Sequence, residues 1–273
     1  MRVITRGLTF DVREGGPVDG PVALLLHGFP QHGGMWDGVV PALHAAGYRT
    51  YAPDQRGYSP GARPSDVDSY RMSECVLDAV GLLDALGVDR AHVLGHDWGA
   101  VVGWHLAIEH APRVRSLTAV SVPHPAAWRR ALRSDPDQRE RASYMLLFAQ
   151  EEGRAEEVLL REDAVRLRGM LSDAGPDPDR YVRPLLEAGA LTGPLNWYRR
   201  LEEPPDGPAL VATTLIWGRE DRAIGWASVE RCAEYVAPGV DYRFVPLDGQ
   251  GHWLPDNVPD VIAREFLDRA GPA

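Results

Sequence analysis

Cysteine is nearly absent from this 273-residue chain: only Cys75 and Cys232 occur. They lie far apart and carry no metal-ligand spacing. A disulfide-stapled scaffold and a thiolate metal centre are therefore excluded, and two reduced thiols of a cytoplasmic protein are expected. Long hydrophobic runs are missing too. None reaches the roughly 18 apolar residues that a membrane span needs, and Met1 to Gly7 show no apolar core of a signal peptide. Positive charge is in deficit: 29 Lys+Arg against 39 Asp+Glu leave a net charge of −10. Arginines scattered among acids, as from Arg129 to Arg141, read as a solvated face, so no nucleic-acid partner is expected. His32, His44, His92, His96, His105, His110 and His124 show no ligand spacing with a third donor. They read as structural or exposed, and no metal is expected. Repeats and low-complexity segments are also lacking. What remains is an ordinary globular composition, 44% hydrophobic, at a length that suits one α/β domain with an insertion or two small domains.

Short apolar runs alternate with helical patterns over the first 124 residues. Val22–Leu26 and Arg49–Asp54 read as buried parallel strands. Ser73–Leu86 has helical spacing in Val76, Leu77, Val80, Leu83 and Leu86 and stops at Gly87. Ala91–Leu94, Ala100–Ala107 and Ser116–Val122 follow as strand, helix and strand, which implies a mostly parallel sheet with helices on both faces. From Ala126 to Gly207 the pattern is helical with Pro and Gly breaks. The strand rhythm returns at Thr213–Trp217 and Asp241–Val245. A helical cap inserted into one α/β domain is the economical reading.

The pentapeptide Gly95-His96-Asp97-Trp98-Gly99 lies between a strand pattern and a helix pattern. That is the setting of a nucleophile elbow, where small residues let the chain turn sharply and the middle side chain is exposed at the tip. Here the middle residue is aspartate in place of the usual serine. A carboxylate is already an anion near neutral pH, so a histidine is left free for a second step. Attack by a carboxylate on an acyl carbon gives an anhydride. Attack on a saturated carbon bearing a leaving oxygen or halide gives an ester that water can hydrolyse. The partners follow in the chain order of elbow enzymes. Trp217-Gly218-Arg219-Glu220-Asp221 supplies an acid, Asp221, with Glu220 and Asp248 as competitors. Gly249-Gln250-Gly251-His252-Trp253 supplies the base, His252. His27-Gly28-Phe29-Pro30 lies where a second oxyanion-hole amide originates, so the backbone N–H groups of Phe29 and Trp98 are the expected pair.

The elbow, His27–Pro30, Asp54-Gln55-Arg56-Gly57-Tyr58 and Gly251-His252-Trp253 together resemble the α/β-hydrolase fold, specifically its epoxide hydrolase branch, over nearly the whole chain. The resemblance implies a mostly parallel eight-stranded sheet flanked by helices, with a core of residues 1–125 and 208–273 and an inserted helical cap of residues 126–207. Gly193-Pro194-Leu195-Asn196-Trp197-Tyr198-Arg199 is similar to the segment that carries one of two epoxide-polarising tyrosines. Ser143-Tyr144-Met145-Leu146-Leu147-Phe148 resembles the segment that carries the other. Tyr198 and Tyr144 are thereby implicated, although each alone reads as a half-buried aromatic. A small hydrophobic epoxide substrate, no cofactor and no membrane partner follow. Trp98, Phe29, Phe148, Leu191 and Trp253 are candidates for pocket lining or for core packing. Two alternatives stand beside this reading: a haloalkane or haloacid dehalogenase using the same Asp97–His252–Asp221 set, and a catalytically inactive ligand-binding protein on the same fold.

Overall fold

The computed structural model describes residues 1–205 and 207–273. Eight strands form one sheet: β1 (Arg2–Thr5), β2 (Leu8–Gly15), β3 (Val22–Leu26), β4 (Arg49–Pro53), β5 (Ala91–His96), β6 (Val114–Val120), β7 (Thr213–Gly218) and β8 (Tyr242–Leu247). Their order across the sheet is β1-β2-β4-β3-β5-β6-β7-β8. β1 and β2 pair antiparallel, and β2 joins β4 antiparallel. Every later pair is parallel. The expected strands all form, and β8 starts at Tyr242 with Asp241 outside it. The N-terminal hairpin is an addition to the expected alternation. Phe10 and Val12 turn inward from β2 and pack with Val3, Ala62 and Leu82.

Side chains alternate between the two sides of the central strands, as period-two geometry requires. Leu24, Leu26 and Val93 join one core cluster with Trp104 and Leu117, while Ala23, Leu25 and Leu94 join another with Trp36 and Phe266. Strands covered on both faces must be apolar throughout, which is why β3 reads Val-Ala-Leu-Leu-Leu. Both cysteines lie inside this packing.

Between β6 and β7 the described chain forms helices and no strand, including Pro125–Ser134, Met145–Phe148, a kinked helix Arg154–Met170 irregular over Arg161–Ala164, Asp179–Val182 and Thr192–Arg199. Phe148, Leu159 and Tyr181 from this excursion share a cluster with Phe29, Leu94 and Trp253 of the sheet layer. Two further contacts fasten it down. Gly57 and Gly193 touch backbone to backbone: a Cβ on Gly193 would lie 2.6 Å from the Gly57 Cα. Beside them the Trp197 indole N–H donates to the Arg56 carbonyl at 2.9 Å. On the other side, the buried Asp256 carboxylate accepts from Gln31 (2.5 Å), Arg180 (2.8 Å) and the Tyr181 hydroxyl (2.6 Å). No described helix is long and apolar enough to cross a membrane.

Candidate active site

Loops at the carboxyl ends of the parallel strands converge, where open α/β sheets place their ligands. Phe29 follows β3, Asp97 follows β5, Ser121 follows β6, Asp221 follows β7 and His252 follows β8. Asp97 has φ 52° and ψ −120°, a conformation that L-residues avoid and that persists only where neighbours enforce it. The elbow here is pressed against the β3 strand and its loop. A Cβ on Gly99 would sit 2.0 Å from the Leu26 carbonyl oxygen, and one on Gly28 would sit 2.2 Å from Asp97 Oδ1. Glycine at both places lets the elbow and the β3 loop approach closely enough for the Phe29 amide to donate to Asp97 Oδ1 at 2.8 Å.

The β3 loop is fixed by a neutral histidine. His27 is fully buried, and burial pushes its imidazole down to about 4. Its Nε2 accepts from the Gln55 amide at 2.9 Å, which leaves the proton on Nδ1 for the Gly28 carbonyl at 3.1 Å. Gln55 belongs to the Asp54–Tyr58 segment, so that motif and His27–Pro30 form one unit.

His252 stands between two carboxylates. Nδ1 lies 2.8 Å from Asp221 Oδ2, and Nε2 lies 3.6 Å from Asp97 Oδ2. Burial alone would lower the imidazole pKa, but the charges of Asp221 and Asp97 more than reverse that and hold it well above its ordinary value. For Asp97, burial pulls upward, while His252 and the Trp98 amide hold its carboxyl below the usual range. Of the three acids weighed from the sequence, only Asp221 reaches the histidine. It is fully buried, with Oδ1 occupied by the amides of Ala223 (2.7 Å) and Ile224 (2.9 Å). Glu220 is exposed, and Asp248 pairs with Arg219 at the surface.

Asp97, Tyr144 and Tyr198 line two cavities that meet at the elbow. A smaller arm of about 100 Å³ is lined by Trp98, Val122, Trp128 and Trp197. A larger arm of about 340 Å³ is lined by Phe29, Phe148, Leu159, Met170 and Trp253. Tyr198 packs edge-on to Trp98 and Phe29, with ring centroids 5.1 and 5.3 Å apart. Burial, with Asp97 close by, raises both phenol pKa values far above the ordinary range, so both rings keep their protons. Leu191 is a correction: it is buried in the hydrophobic cluster ahead of the Thr192–Arg199 helix and lines neither arm. No group of three or more His, Cys, Asp or Glu among the described residues is arranged to hold a metal ion.

The sequence reading passed over a clasp on the histidine loop. The His96 Nε2–H donates to the His252 carbonyl at 2.9 Å, and the Ser121 hydroxyl donates to the same oxygen at 2.8 Å. His96 is fully buried, and burial with His252 nearby pushes it down to about 3, so it acts as a neutral donor. Ser121 holds φ 69°. That is a strained conformation for a serine, held directly after a strand, and no local sequence pattern marks it.

Residues 21–257 match the α/β hydrolase fold family. Over 97% of its length the chain is 34% identical to the AB hydrolase superfamily protein YfhM of Bacillus subtilis, covering 96% of that protein. It is 33% identical to Epoxide hydrolase A of Mycobacterium tuberculosis, covering 97% of this chain and 95% of that one. A solved structure described as a novel epoxide hydrolase from metagenomes of hot environments superimposes with a TM-score of 0.88 at 27% identity, over 100% of this chain and 98% of the other. The chain belongs to the α/β-hydrolase superfamily and, within it, to the epoxide hydrolase family.

Proposed function

We propose that the protein opens epoxides to vicinal diols through a covalent ester on Asp97, with residues 126–207 serving as the cap over the site. The observation that carries this reading is the division of labour on one carboxylate. Oδ1 is engaged by the Phe29 amide, and Oδ2 is left facing the histidine and the cavities. Oδ2 attacks a ring carbon, the carbon–oxygen bond breaks, and a phenol of Tyr144 or Tyr198 gives its proton to the departing alkoxide. Oδ1 becomes the ester carbonyl, already seated against the Phe29 amide, with the Trp98 amide as the second donor. Water activated by His252 then adds to that carbonyl carbon, and the two amides hold the oxyanion. One such donor is typically worth about 3 kcal/mol. The proton that the resting imidazolium loses on esterification restores the phenol; water then gives one proton to His252 and its second to the departing diol oxygen, so collapse expels the diol and restores Asp97, and no cofactor takes part.

The two steps need opposite states of His252. While Asp97 is charged, the imidazole holds its proton. Esterification removes that charge, one of the two causes that raise the histidine, so its pKa falls as the base is needed. A single turnover in heavy-oxygen water tests the scheme. The first diol is expected to carry an unlabelled Asp97 oxygen, while label builds up on Asp97 over later cycles. A fully labelled first diol would rule out the ester.

Asp221→Asn is expected to lower turnover about 10⁴-fold. The amide cannot stabilise the imidazolium, so stopped-flow should show the loss in ester hydrolysis, with alkylation little changed. Ser121→Ala removes one of two donors to the His252 carbonyl, worth about 1 kcal/mol. A roughly fivefold slowing of ester hydrolysis at unchanged kcat/KM is the expected result.

A further inference from the structure

One helix of the excursion between β6 and β7, Pro136–Arg141, is bonded to the loop that carries Asp221. Its Gln138 is not exposed at all, and the carboxamide is used at both ends. Nε2 donates to the Ala223 carbonyl at 2.9 Å, while Oε1 accepts from the Gly225 amide at 2.8 Å and the Ser228 hydroxyl at 2.6 Å. A turn further on, Arg141 donates to the Asp221 carbonyl at 2.5 Å and to the Asp137 carboxylate at 2.7 Å. Helix and loop meet closely at Gly225, where a Cβ would lie 3.0 Å from Asp137 Oδ2 and 3.2 Å from Arg141 Nε. The Ala223–Ile224 peptide is the link to the site. Its N–H donates to Asp221 Oδ1 at 2.9 Å, and its carbonyl is the one held by Gln138. A peptide group is planar and rigid, so turning it away from Gln138 also turns its N–H away from Asp221. The other oxygen of that carboxylate is the one 2.8 Å from His252 Nδ1.

Resting on the ester mechanism above, we infer that Gln138 is a positioning residue for the second step: from the excursion it fixes the Ala223–Ile224 peptide and, through that peptide, the orientation of Asp221 against His252. Arg141 steadies the same loop at the Asp221 backbone. Neither side chain touches an atom that attacks or leaves. Epoxide opening uses Asp97 and the two phenols, whereas ester hydrolysis uses the Asp221–His252 pair. A fault at Gln138 is therefore felt in hydrolysis, and the seating of this helix becomes a condition for releasing product.

Gln138→Met keeps the side-chain length and removes all three of its bonds. Rapid-quench mass measurement with an epoxide is expected to show Asp97 alkylated at nearly the unmodified rate and the ester hydrolysed roughly tenfold more slowly. In steady state kcat and KM should then fall together, leaving kcat/KM unchanged. A double-mutant cycle separates positioning from general damage. Once Asp221→Asn has removed the carboxylate there is nothing left to orient, so adding Gln138→Met should slow decay of the ester by no more than about twofold. Arg141→Ala changes a partly exposed side chain and keeps Gln138. It should slow hydrolysis about threefold, and it carries the test if Gln138→Met does not fold. Hydrolysis unmoved in the folded variants, a loss shared equally by alkylation, or the same loss with and without the Asp221 carboxylate overturns the proposal, while alkylation of Asp97 leaves the epoxide reading standing. If the unmodified protein opens no epoxide of a panel from styrene oxide to straight-chain internal epoxides, and none becomes attached to Asp97, the epoxide reading falls and this proposal with it.

Discussion

Incubating a His252→Gln variant with a good epoxide is expected to leave Asp97 alkylated and the diol unformed, with steady-state turnover reduced by ~10³-fold or more. The reason lies in which atoms each step uses. Attack needs the Asp97 anion, and its oxyanion-hole contact comes from the Phe29 backbone, which the substitution does not touch. Release needs a base 3.6 Å from Oδ2, and glutamine provides none. Intact mass should therefore show the chain plus one substrate. A variant that stays unmodified after full incubation would remove His252 from the second step. The pH dependence of the unmodified protein is the companion measurement. Hydrolysis of the ester requires neutral imidazole, so its rate should rise with pH through the histidine pKa of the alkylated form. That value should lie below the one in the free protein, because the ester no longer supplies the Asp97 charge. Alkylation requires the Asp97 anion, whose pKa is held low, and protonated phenols, whose pKa values are held high, so over the same range its rate should show no such rise.

The second large effect concerns Tyr144 and Tyr198. Removing both hydroxyls, as Tyr144→Phe/Tyr198→Phe, is expected to slow epoxide opening by roughly 10²- to 10⁴-fold, the usual scale for general-acid catalysis. The raised phenol pKa values mean both rings are protonated at working pH, so each can donate to an opening ring. The same variant separates the two leaving groups. A halide departs without a proton, so haloalkane turnover should survive the loss of both hydroxyls. Rapid-quench measurement of the ester on Asp97 checks both halves. If epoxide opening kept its rate in the double variant, the phenols would be wall residues and the proton would have to come from elsewhere. The position after Gly28 already leans against a dehalogenase: Phe29 presents an aromatic ring there and no side-chain N–H.

Features carried by local sequence were readable without the fold. Val22–Leu26 is apolar in every position because two helical layers cover it, and it is strand β3 to the residue. The elbow was visible because its glycines answer to steric demands a few residues away. What escaped depends on partners distant in sequence. The role of His96 comes from a carbonyl 156 residues further on, and that of Ser121 from the same atom 131 residues on. Neither separation leaves a periodic mark. Asp221 is favoured over Glu220 and Asp248 from the sequence because the turn after the strand aims it inward, and in the fold its carboxylate lies 2.8 Å from His252 Nδ1. Leu191 shows the converse limit. Hydrophobicity says that a side chain is buried, and it cannot say whether it faces a cavity or the packed interior.

The burial of Cys75 and Cys232 has a bearing on how such a protein survives its own substrate. Epoxides alkylate thiols and amines wherever these meet solvent. Cys75 is 3% exposed and Cys232 is not exposed at all. Burial raises both thiols, Cys232 to about 11, so the reactive thiolate is scarce as well as inaccessible. With no lysine in the sequence, the surface offers neither a thiol nor a side-chain amine for an electrophile to consume. In the proposed scheme, reactivity is concentrated in the single carboxylate whose ester the protein hydrolyses. Prolonged exposure of the His252→Gln variant to excess epoxide should accordingly stop at one adduct per chain.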